Sequence, residues 1–333
     1  MNKKINSLQQ GNCTYPISEA RTLSFGNGFV NNIKNIANNI NYRSSGWKKK
    51  RKNIIFIIWS YLHYSRLKIL VNSFLTPNLD IILTLHPHII KKPFKPYLCV
   101  NWNEKQRVTS VIDHFQFMSK IFASNLYIIY RDEGYCLLEI EDRDEVKYKL
   151  ILDRGQNREG ALGLRLVNDK NQRIYIITMN LSANNQGEMY IGSIQGPSHD
   201  VENRNDVIKS LTKGCHGLRP KALILEFAIM LARSLDLNAL YGINNKSHMY
   251  QSWRYVGRKR NVVTFDYNSH WKEYGAEVFN SNFYKIPLEI PKKDLENLNR
   301  NKRKLYIKRY QWLDDIKLLF EVNISKIRTG KIK

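Results

Sequence analysis

One stretch near the middle of the chain, from Met189 to His248, contains two short apolar runs and, between them, a segment in which apolar residues recur at helical spacing. The stretch begins with the apolar run MYIGSIQG and continues through a basic turn that contains two glycines. A helix is predicted to begin at Pro220, because proline is favoured in a first helical turn. Its buried face carries Leu223, Ile224, Phe227, Ala228, Leu231 and Leu235. An apolar run from Asn238 to Ile243 follows, so the stretch predicts a strand–helix–strand unit that fixes the polar residues of its turns.

The chain before this unit has two kinds of pattern. Helical spacing is found in three places: a short helix near Phe29 to Ile40, an aromatic and aliphatic helix from Trp47 to Leu75, and a helix from Glu104 to Phe122. The proline-rich connector Leu85 to Trp102, between the last two, has none. From Leu126 to Asn180 the pattern changes to five short apolar runs: LYIIYR, YCLLEIED, VKYKLILD, ALGLRLV and RIYIITM. Charged and Gly/Asn turns separate them, which is typical of an antiparallel meander.

After the central unit we predict two strands, Val262 to Asn268 and Phe283 to Ile290, and then a long basic helix whose last residues, NISKIRTGKIK, fray. The fold class is therefore α+β, with a mixed, mostly antiparallel sheet around the strand–helix–strand unit. We divide the chain into a loosely ordered segment (1–45), a helical extension (46–124), an α+β core (125–290) and a basic C-terminal helix and tail (291–333).

Charge adds a class of partner to this fold. The chain has 53 Lys and Arg against 29 Asp and Glu, a net charge of +24, and such an excess favours anionic lipid, lipopolysaccharide phosphates, nucleotides or nucleic acid. Codon bias towards lysine is the alternative explanation. The run Lys48 to Lys52 precedes the aromatic helix, which fits either a membrane interface or a core helix with a solvated basic flank. The C-terminal helix places Tyr306, Tyr310 and Trp312 among cations, which fits nucleic acid, lipid headgroups or a solvated face. No recognised nucleic-acid motif accompanies them, so nucleic acid is the least favoured partner.

Cysteine usage and hydropathy point to a compartment. The four cysteines are scattered, which fits neither a disulfide framework nor a zinc site, and no other metal site is indicated. The N-terminus lacks the apolar run of a secretory signal, and the most apolar segment, Ile54 to Leu62, is too short to cross a bilayer. We predict a cytoplasmic protein, with peripheral contact to the inner face of the cytoplasmic membrane left open. No pattern specifies an oligomeric state.

The basic turn Lys213 to Lys221 is the first candidate site. Its glycines lead into a helix N-terminus, where unpaired backbone N–H groups and the helix dipole favour an anion. It lacks both the Walker ending and the Rossmann GxGxxG pattern. The candidate cofactor-binding residues are Gly214, Gly217, Leu218, Arg219 and Lys221. The alternative is a structural turn in which Arg219 ties loops together.

Two histidines flank the central helix and are the candidate catalytic residues. His216 precedes the helix and His248 follows the next strand, and either has the side chain for a general base near neutral pH. A structural role is the alternative for each, because no carboxylate or hydroxyl stands at a spacing that specifies a triad. The remaining candidates, which lie near the strand ends or on the helix, are Gln195, Asn244, Asn245, Glu226, Asp266 and Trp271.

Six ordered segments between about Trp47 and Leu313 together resemble the VirK family, the VirK/YbjX-like proteins of Gram-negative bacteria. They are LHPHIIKKPFKPYL, VIDHFQFM, YIGSIQGP, GLRPKALILEFAIMLARSL, LYGINNKSH and the Tyr267/Trp271 region. The resemblance implies a role in virulence and in resistance of the envelope to cationic antimicrobial peptides. It supplies no catalytic residues, since the family's biochemical activity is not established.

The order of elements also resembles the acyl-CoA N-acyltransferase (GNAT-like) superfamily. There, the loop before the central helix holds the cofactor's pyrophosphate on backbone N–H groups, which implies coenzyme A or acyl-CoA at Lys213 to Arg219. This chain departs from the superfamily's Arg/Gln-x-x-Gly-x-Gly/Ala pattern, with a long loop after Gln195 and the sequence GCHGLRP. Two hypotheses follow: acyl transfer to an amine or envelope lipid, or non-catalytic binding of anionic lipid or lipopolysaccharide through Lys48 to Lys52 and the C-terminal helix.

Overall fold

One eight-stranded sheet runs through the computed structural model, which describes residues 29–42, 44–253 and 265–328. The strands are β1 (Tyr135–Glu141), β2 (Lys147–Asp153), β3 (Leu162–Val167), β4 (Arg173–Ser182), β5 (Glu188–Gln195), β6 (Ala239–Ile243), β7 (Glu277–Val278) and β8 (Phe283–Ile286). Their order in the sheet is β1-β2-β3-β4-β5-β6-β8-β7. Among these described strands, β5 and β6 are the one parallel pair, and the other neighbours are antiparallel. The predicted mixed α+β class is confirmed.

Helices surround the sheet. In the described residues they are α1 (Phe29–Ile40), α2 (Gly46–Leu62), α3 (Tyr64–Ser73), α4 (Asp80–Leu85), α5 (Glu104–Phe122), α6 (Leu126–Tyr130), α7 (Arg204–Gly214), α8 (Pro220–Ser234), α9 (Tyr267–Glu273) and α10 (Arg300–Arg328). The predicted bounds of α1 and α5 are confirmed. For α5 the reason is local, since Asn103 and Gln106 form a capping box at its start.

Both faces of the central strands are covered, which explains why β4 is almost continuously buried. The Asn180 side chain on β4 donates to Ser110 Oγ on α5, at 2.9 Å. The neighbours Met179 and Leu181 point to the opposite face because side chains alternate along a strand, and α8 packs against β3 and β4 there. The C-terminal helix α10 then packs on α8 and β1. Side chains of α1, α2 and α10 join the same apolar core as the sheet.

The parallel pair β5 and β6 forms a fork. The two strands pair only from Glu188 opposite Ala239 to Ile191 opposite Gly242, and beyond that point they diverge. Helix α9 fills the gap: the Trp271 ring packs directly on Gly242 and its Nε1 donates to the Ile243 carbonyl at 2.8 Å. The fork is therefore closed on one side by aromatic side chains, and its polar rim is formed by the segments that follow the two strands.

The predicted helix Trp47 to Leu75 is two helices, α2 and α3, with a bend of 100° between them. The Glu104 carboxylate holds this corner, because its Oε2 lies 2.8 Å from both His63 Nδ1 and Arg66 NH1. Helix α3 buries Leu67, Leu70 and Val71. No single described helix has the length and apolar composition to cross a membrane. The helices α2 and α3 reach that length and composition together, but they are bent by 100°.

Four further local predictions are wrong. LYIIYR is mostly helix α6, whose buried Leu126, Ile129 and Tyr130 stand at helical rather than alternating spacing. Residues 267 and 268 belong to α9, which Asp266 caps by accepting from Ser269 N at 3.1 Å; Val262 to Thr264 of that predicted strand lie outside the described residues.

The other two errors concern the C-terminal part of the chain. Strand β8 ends at Ile286, and Pro287 follows it, which lacks the N–H that a strand ladder needs. Helix α10 continues through most of the segment predicted to fray, because Ile324 and Ile327 are buried.

Candidate functional site

A buried carboxylate, that of Glu159, lies at the fork. It is 1% exposed, and its Oε2 accepts from Ser193 Oγ at 2.7 Å and from Gln195 Nε2 at 2.5 Å. Both donors stand on β5 beyond the point where β6 has left it, two residues apart and hence on one face of the strand. Since a buried acid is stable only when its oxygens are bonded, β5 is built to hold this carboxylate.

The turn that carries Glu159 is held by the proline-rich connector. The buried Lys92 donates from Nζ to the Gly160 and Asn157 carbonyls, at 2.8 and 3.1 Å. The Leu98 N–H donates to the Arg158 carbonyl at 2.8 Å. Burial lowers the pKa of Lys92 to about 7. The connector therefore sets the position of the carboxylate.

His248 faces this carboxylate. Its Nε2 lies 3.9 Å from Glu159 Oε1 and has no hydrogen-bond partner, and the side chain is 2% exposed. Its Nδ1 accepts from Tyr250 N at 3.4 Å, so the neutral ring carries its proton on Nε2, towards the carboxylate. The ring stacks on Tyr267, with centroids 5.2 Å apart. Burial lowers the pKa of His248 to about 4, which makes the pair a neutral imidazole beside a bonded carboxylate.

Most of the other predicted strand-end residues meet around this pair. Asn245 Nδ2 donates to Asp266 Oδ1 at 2.8 Å, and the Tyr267 N–H donates to Asn245 Oδ1 at 2.7 Å. Hydrogen bonds from Ser269 and Asn245 lower the pKa of Asp266 to about 2. Gln195 and Trp271 belong to the same fork, as described above. Asn244 lies at its edge and donates to the Ser281 carbonyl at 2.5 Å.

A groove of about 670 Å³ opens beside the fork. Its lining includes residues from α2, α5, the connector and the segment after β6, among them Trp59, Phe94, Lys95, Arg107, Lys246 and Trp253. The connector joins the groove to the buried pair, because Val100 N donates to the Ser247 carbonyl at 2.9 Å and Cys99 pairs with His248 in an isolated bridge.

The predicted cofactor turn lies elsewhere, against the C-terminal helix. The N–H groups of Cys215, Gly217 and Leu218 donate to carbonyls within the turn or α7, at 2.8 to 2.9 Å. The His216 carbonyl accepts from Arg309 Nε and NH2, at 3.0 and 2.8 Å. Arg309, not Arg219, therefore ties this turn down, and Arg219 is exposed. Coenzyme A binding at this turn stays a prediction.

Three further predicted residues, Gly214, Lys221 and Glu226, lie in this turn or on the helix α8 that follows it. A Cβ on Gly214 would overlap the Asp142 carboxylate, which explains the glycine. Lys221 Nζ lies 3.4 Å from Glu273 Oε2. On α8, burial raises the pKa of Glu226 to about 7.

The two candidate catalytic histidines are not brought together. His216 contacts the Trp312 ring, with centroids 6.1 Å apart, whereas His248 contacts Tyr250 and Tyr267. Burial and the cations Arg143, Lys308 and Arg309 lower the pKa of His216. In the described ranges no group of three or more His, Cys, Asp or Glu side chains is placed to hold a metal ion.

Glu159, Ser193 and Tyr267 are missing from the sequence-based candidates. Glu159 lies in a polar turn, and its burial arises only from distant segments, so no local pattern reveals it. Ser193 and Gln195 gave a usable signal: two polar residues at strand spacing inside the apolar run MYIGSIQG.

Three buried histidines, His114, His248 and His270, make the fold sensitive to acid. All are at most 1% exposed, and burial lowers their pKa values to about 3, about 4 and about 3. Below pH 6.5 the unfolded chain takes up protons that the folded chain does not, so stability decreases as the pH is lowered. Each buried histidine lowers the free energy of unfolding by about 2 kcal/mol at pH 5. Glu226, whose pKa is raised, has the opposite effect and cancels the contribution of about one histidine. We expect a clearly lower urea midpoint at pH 5 than at pH 7.5; an equal or higher midpoint would contradict these burials.

Comparison with known proteins identifies relatives. The family model described as "Protein of unknown function (DUF535)" matches residues 45–321. The "Uncharacterized protein YbjX" of Escherichia coli K12 is 29% identical over 245 residues, which cover 72% of this chain and 73% of YbjX. An uncharacterized Haemophilus influenzae protein is 34% identical over 160 residues, 47% of this chain and 49% of that protein. "Membrane protein LapB" of Mannheimia haemolytica is 28% identical over 200 residues, 59% of this chain and 84% of LapB. No solved structure matches the chain significantly.

Proposed function

Because the chain belongs to the DUF535 family of VirK/YbjX-like proteins, we propose that it is a peripheral membrane protein of the bacterial envelope that binds anionic lipid. The observation that carries this proposal is the outer face of α2. The inner face of the cytoplasmic membrane is the proposed location, and lipopolysaccharide phosphates have the same charge and are the second ligand of this class. The relative LapB is named a membrane protein, which agrees with this proposal.

Helix α2 exposes an apolar stripe. It buries only Phe56 and Ser60, while the side chains on its outer face are between 47% and 72% exposed: Ile54, Ile55, Ile58, Tyr61 and Leu62. These positions recur at helical spacing and so form one continuous surface. Trp47, 76% exposed, lies at the start of the same helix. A helix with this face favours the boundary between lipid headgroups and acyl chains.

The first turns of α2 are basic and carry no acid. Residues 48–52 read KKKRK, and cations at a helix N-terminus oppose the helix dipole, so helix stability does not account for them. Near an anionic membrane each such residue contributes about 1 kcal/mol of binding. The apolar stripe and the basic run therefore suit the same surface, a bilayer that contains anionic lipid.

Sedimentation with lipid vesicles tests this function. We expect the protein to bind phosphatidylglycerol-containing vesicles at low salt and at least tenfold more weakly in about 1 M salt, because salt screens exposed charges. Binding to pure phosphatidylcholine vesicles should be weaker still. Equal binding to neutral and anionic vesicles would rule the electrostatic part out.

Resistance to cationic antimicrobial peptides, which the family resemblance implies, is the cellular role that we propose. Such peptides bind the anionic phosphates of the envelope, which is the class of ligand that we propose for this protein. Loss of the protein should lower the peptide concentration that inhibits growth. An unchanged inhibitory concentration would remove this role and leave lipid binding as the function.

Acyl transfer is the second candidate, and the fork favours it. The sheet has four antiparallel strands before a parallel pair joined through α8, as the resemblance to the acyl-CoA N-acyltransferases implies. An amine of the acceptor would attack the thioester carbonyl of acyl-CoA, a C–N bond would form, and the C–S bond would break. His248 Nδ1 would release the Tyr250 N–H and accept the amine proton, and the coenzyme A thiolate would leave and take up a proton.

Thermal unfolding with acyl-CoA tests the second candidate. A ligand at about a hundred times its dissociation constant adds about 2.7 kcal/mol of stability, which is a visible shift of the melting temperature. We expect this shift with acetyl-CoA or longer acyl-CoA, and expect Arg219→Ala to reduce it if the turn before α8 holds the phosphates. No shift at millimolar ligand would remove acyl-CoA from the proposed function.

A further inference from the structure

The groove beside the fork has aromatic walls. Trp59 lies near the end of α2, Phe94 belongs to the connector, and Trp253, 86% exposed, follows the segment after β6. The volume, about 670 Å³, is in the range of sites that take small molecules. Trp59 connects the groove to α2, so the groove is continuous with the helix that presents its apolar stripe to the membrane.

The charges of the groove are of one sign. Lys95, Arg107 and Lys246 line it, and no Asp or Glu is among the lining residues within the described chain. Arg107 Nε is buried and has no hydrogen-bond partner. The Glu104 carboxylate, which acts on Arg107 electrostatically, has its Oε2 bonded to His63 and Arg66, and its Oε1 is buried without a hydrogen-bond partner. A buried guanidinium nitrogen without a partner is costly, and a phosphate oxygen is the acceptor that a guanidinium fits best.

We propose that this groove binds the headgroup of a single anionic phospholipid, with its phosphate on Arg107, Lys95 and Lys246 and its glycerol and upper acyl chain against the aromatic walls. The proposal rests on the proposed function, because α2 brings the groove to the lipid. The three cations favour a phosphate. The three aromatic rings, Trp59, Phe94 and Trp253, favour a ligand that also has an apolar part over a free phosphate. The groove thus binds one lipid molecule by its headgroup, whereas α2 binds the anionic surface of the bilayer.

Titration with a short-chain lipid tests this site without a bilayer. Dihexanoyl phosphatidylglycerol, kept below its aggregation concentration, is added to the full chain and the heat of binding is recorded. We expect saturable one-to-one binding, at least tenfold tighter than that of dihexanoyl phosphatidylcholine or of glycerol 3-phosphate. No saturable binding, or equal binding of phosphatidylcholine, would overturn the proposal. Equal binding of glycerol 3-phosphate would show a phosphate site and would likewise overturn the lipid assignment.

Variants place the binding in the groove. Lys246 is exposed, so Lys246→Gln leaves the fold intact and is expected to weaken lipid binding at least threefold. Addition of Arg107→Gln should bring the loss to tenfold or more. Lys170→Gln, at an exposed turn away from the groove, is the matched control and should change nothing. Unchanged affinity in the double variant would overturn the proposal.

The two proposals fail separately. If monomeric lipid binds but vesicles do not, the membrane function is wrong and the groove stands as a lipid site. If vesicles bind but monomeric lipid does not, the groove proposal is wrong and the membrane function stands.

Discussion

Replacement of Ile55, Ile58 and Leu62 by Asn is expected to weaken binding to anionic vesicles about a hundredfold and to leave the free energy of unfolding nearly unchanged. The three side chains are 47%, 53% and 72% exposed, so the folded protein gains little from them. In the membrane each contributes about 1 kcal/mol by burial of its exposed part, and 1.4 kcal/mol corresponds to a factor of ten. Vesicle sedimentation and urea unfolding of the same preparation measure both quantities.

The matched control lies on α10. Leu318, Leu319 and Val322 are 64%, 56% and 52% exposed and also stand on a basic helix. Their replacement by Asn should leave vesicle binding within a factor of two. If this variant loses binding and the α2 variant does not, the membrane-facing surface is the C-terminal helix.

Gly192→Ala is expected to destabilise the protein by about 3 kcal/mol, because an added Cβ meets backbone that has no room to move. Gly192 is the extra residue of a bulge in β5: Thr178 pairs with Ser193 and Met179 with Ile191. A Cβ at this position would lie 1.9 Å from the Glu159 carbonyl oxygen. Because Gly192 has no Cβ, the backbone of the Glu159 turn packs directly on β5, the strand that binds the Glu159 carboxylate.

Gly196→Ala is the control for this substitution. Its Cβ would lie 3.7 Å from the Tyr175 ring, an ordinary contact, and we expect its urea midpoint to match the parent within about 0.5 kcal/mol of unfolding free energy. A Gly192→Ala protein as stable as the Gly196→Ala protein would show that the turn and β5 are not in contact.

Much of the fold can be predicted from local patterns. The face of α8 and the bounds of α5 follow from apolar residues three or four positions apart, so single-sequence analysis finds them. The bend at His63 could not be predicted in this way, since it depends on Glu104, which is distant in sequence and bonded to His63 and Arg66. The helical turn at Leu126 is too short for its spacing to be distinguished from a strand.

The site follows the same division. His248, Gln195 and Asn245 were found because strand ends beside a helix are frequent places for polar function. Glu159 was not found, since its burial is produced by Lys92, Leu98 and Gly192, which are far from it in the chain or on another strand. The glycines of the turn at Gly214 predict an anion site, which stays a prediction; the structure gives Gly214 a further reason, because a Cβ there would overlap the Asp142 carboxylate.

Hydrogen exchange measured on membranes addresses the lipid-facing role of α2 most directly. The protein is exchanged alone, with phosphatidylglycerol-containing vesicles and with phosphatidylcholine vesicles, and the deuterium uptake of each peptide is compared. We expect anionic vesicles to slow exchange in peptides that cover Gly46–Leu62, with little change in those that cover Arg300–Arg328. Slower exchange confined to the C-terminal helix, or no change in α2 on vesicles that the protein binds, would contradict the proposed membrane surface.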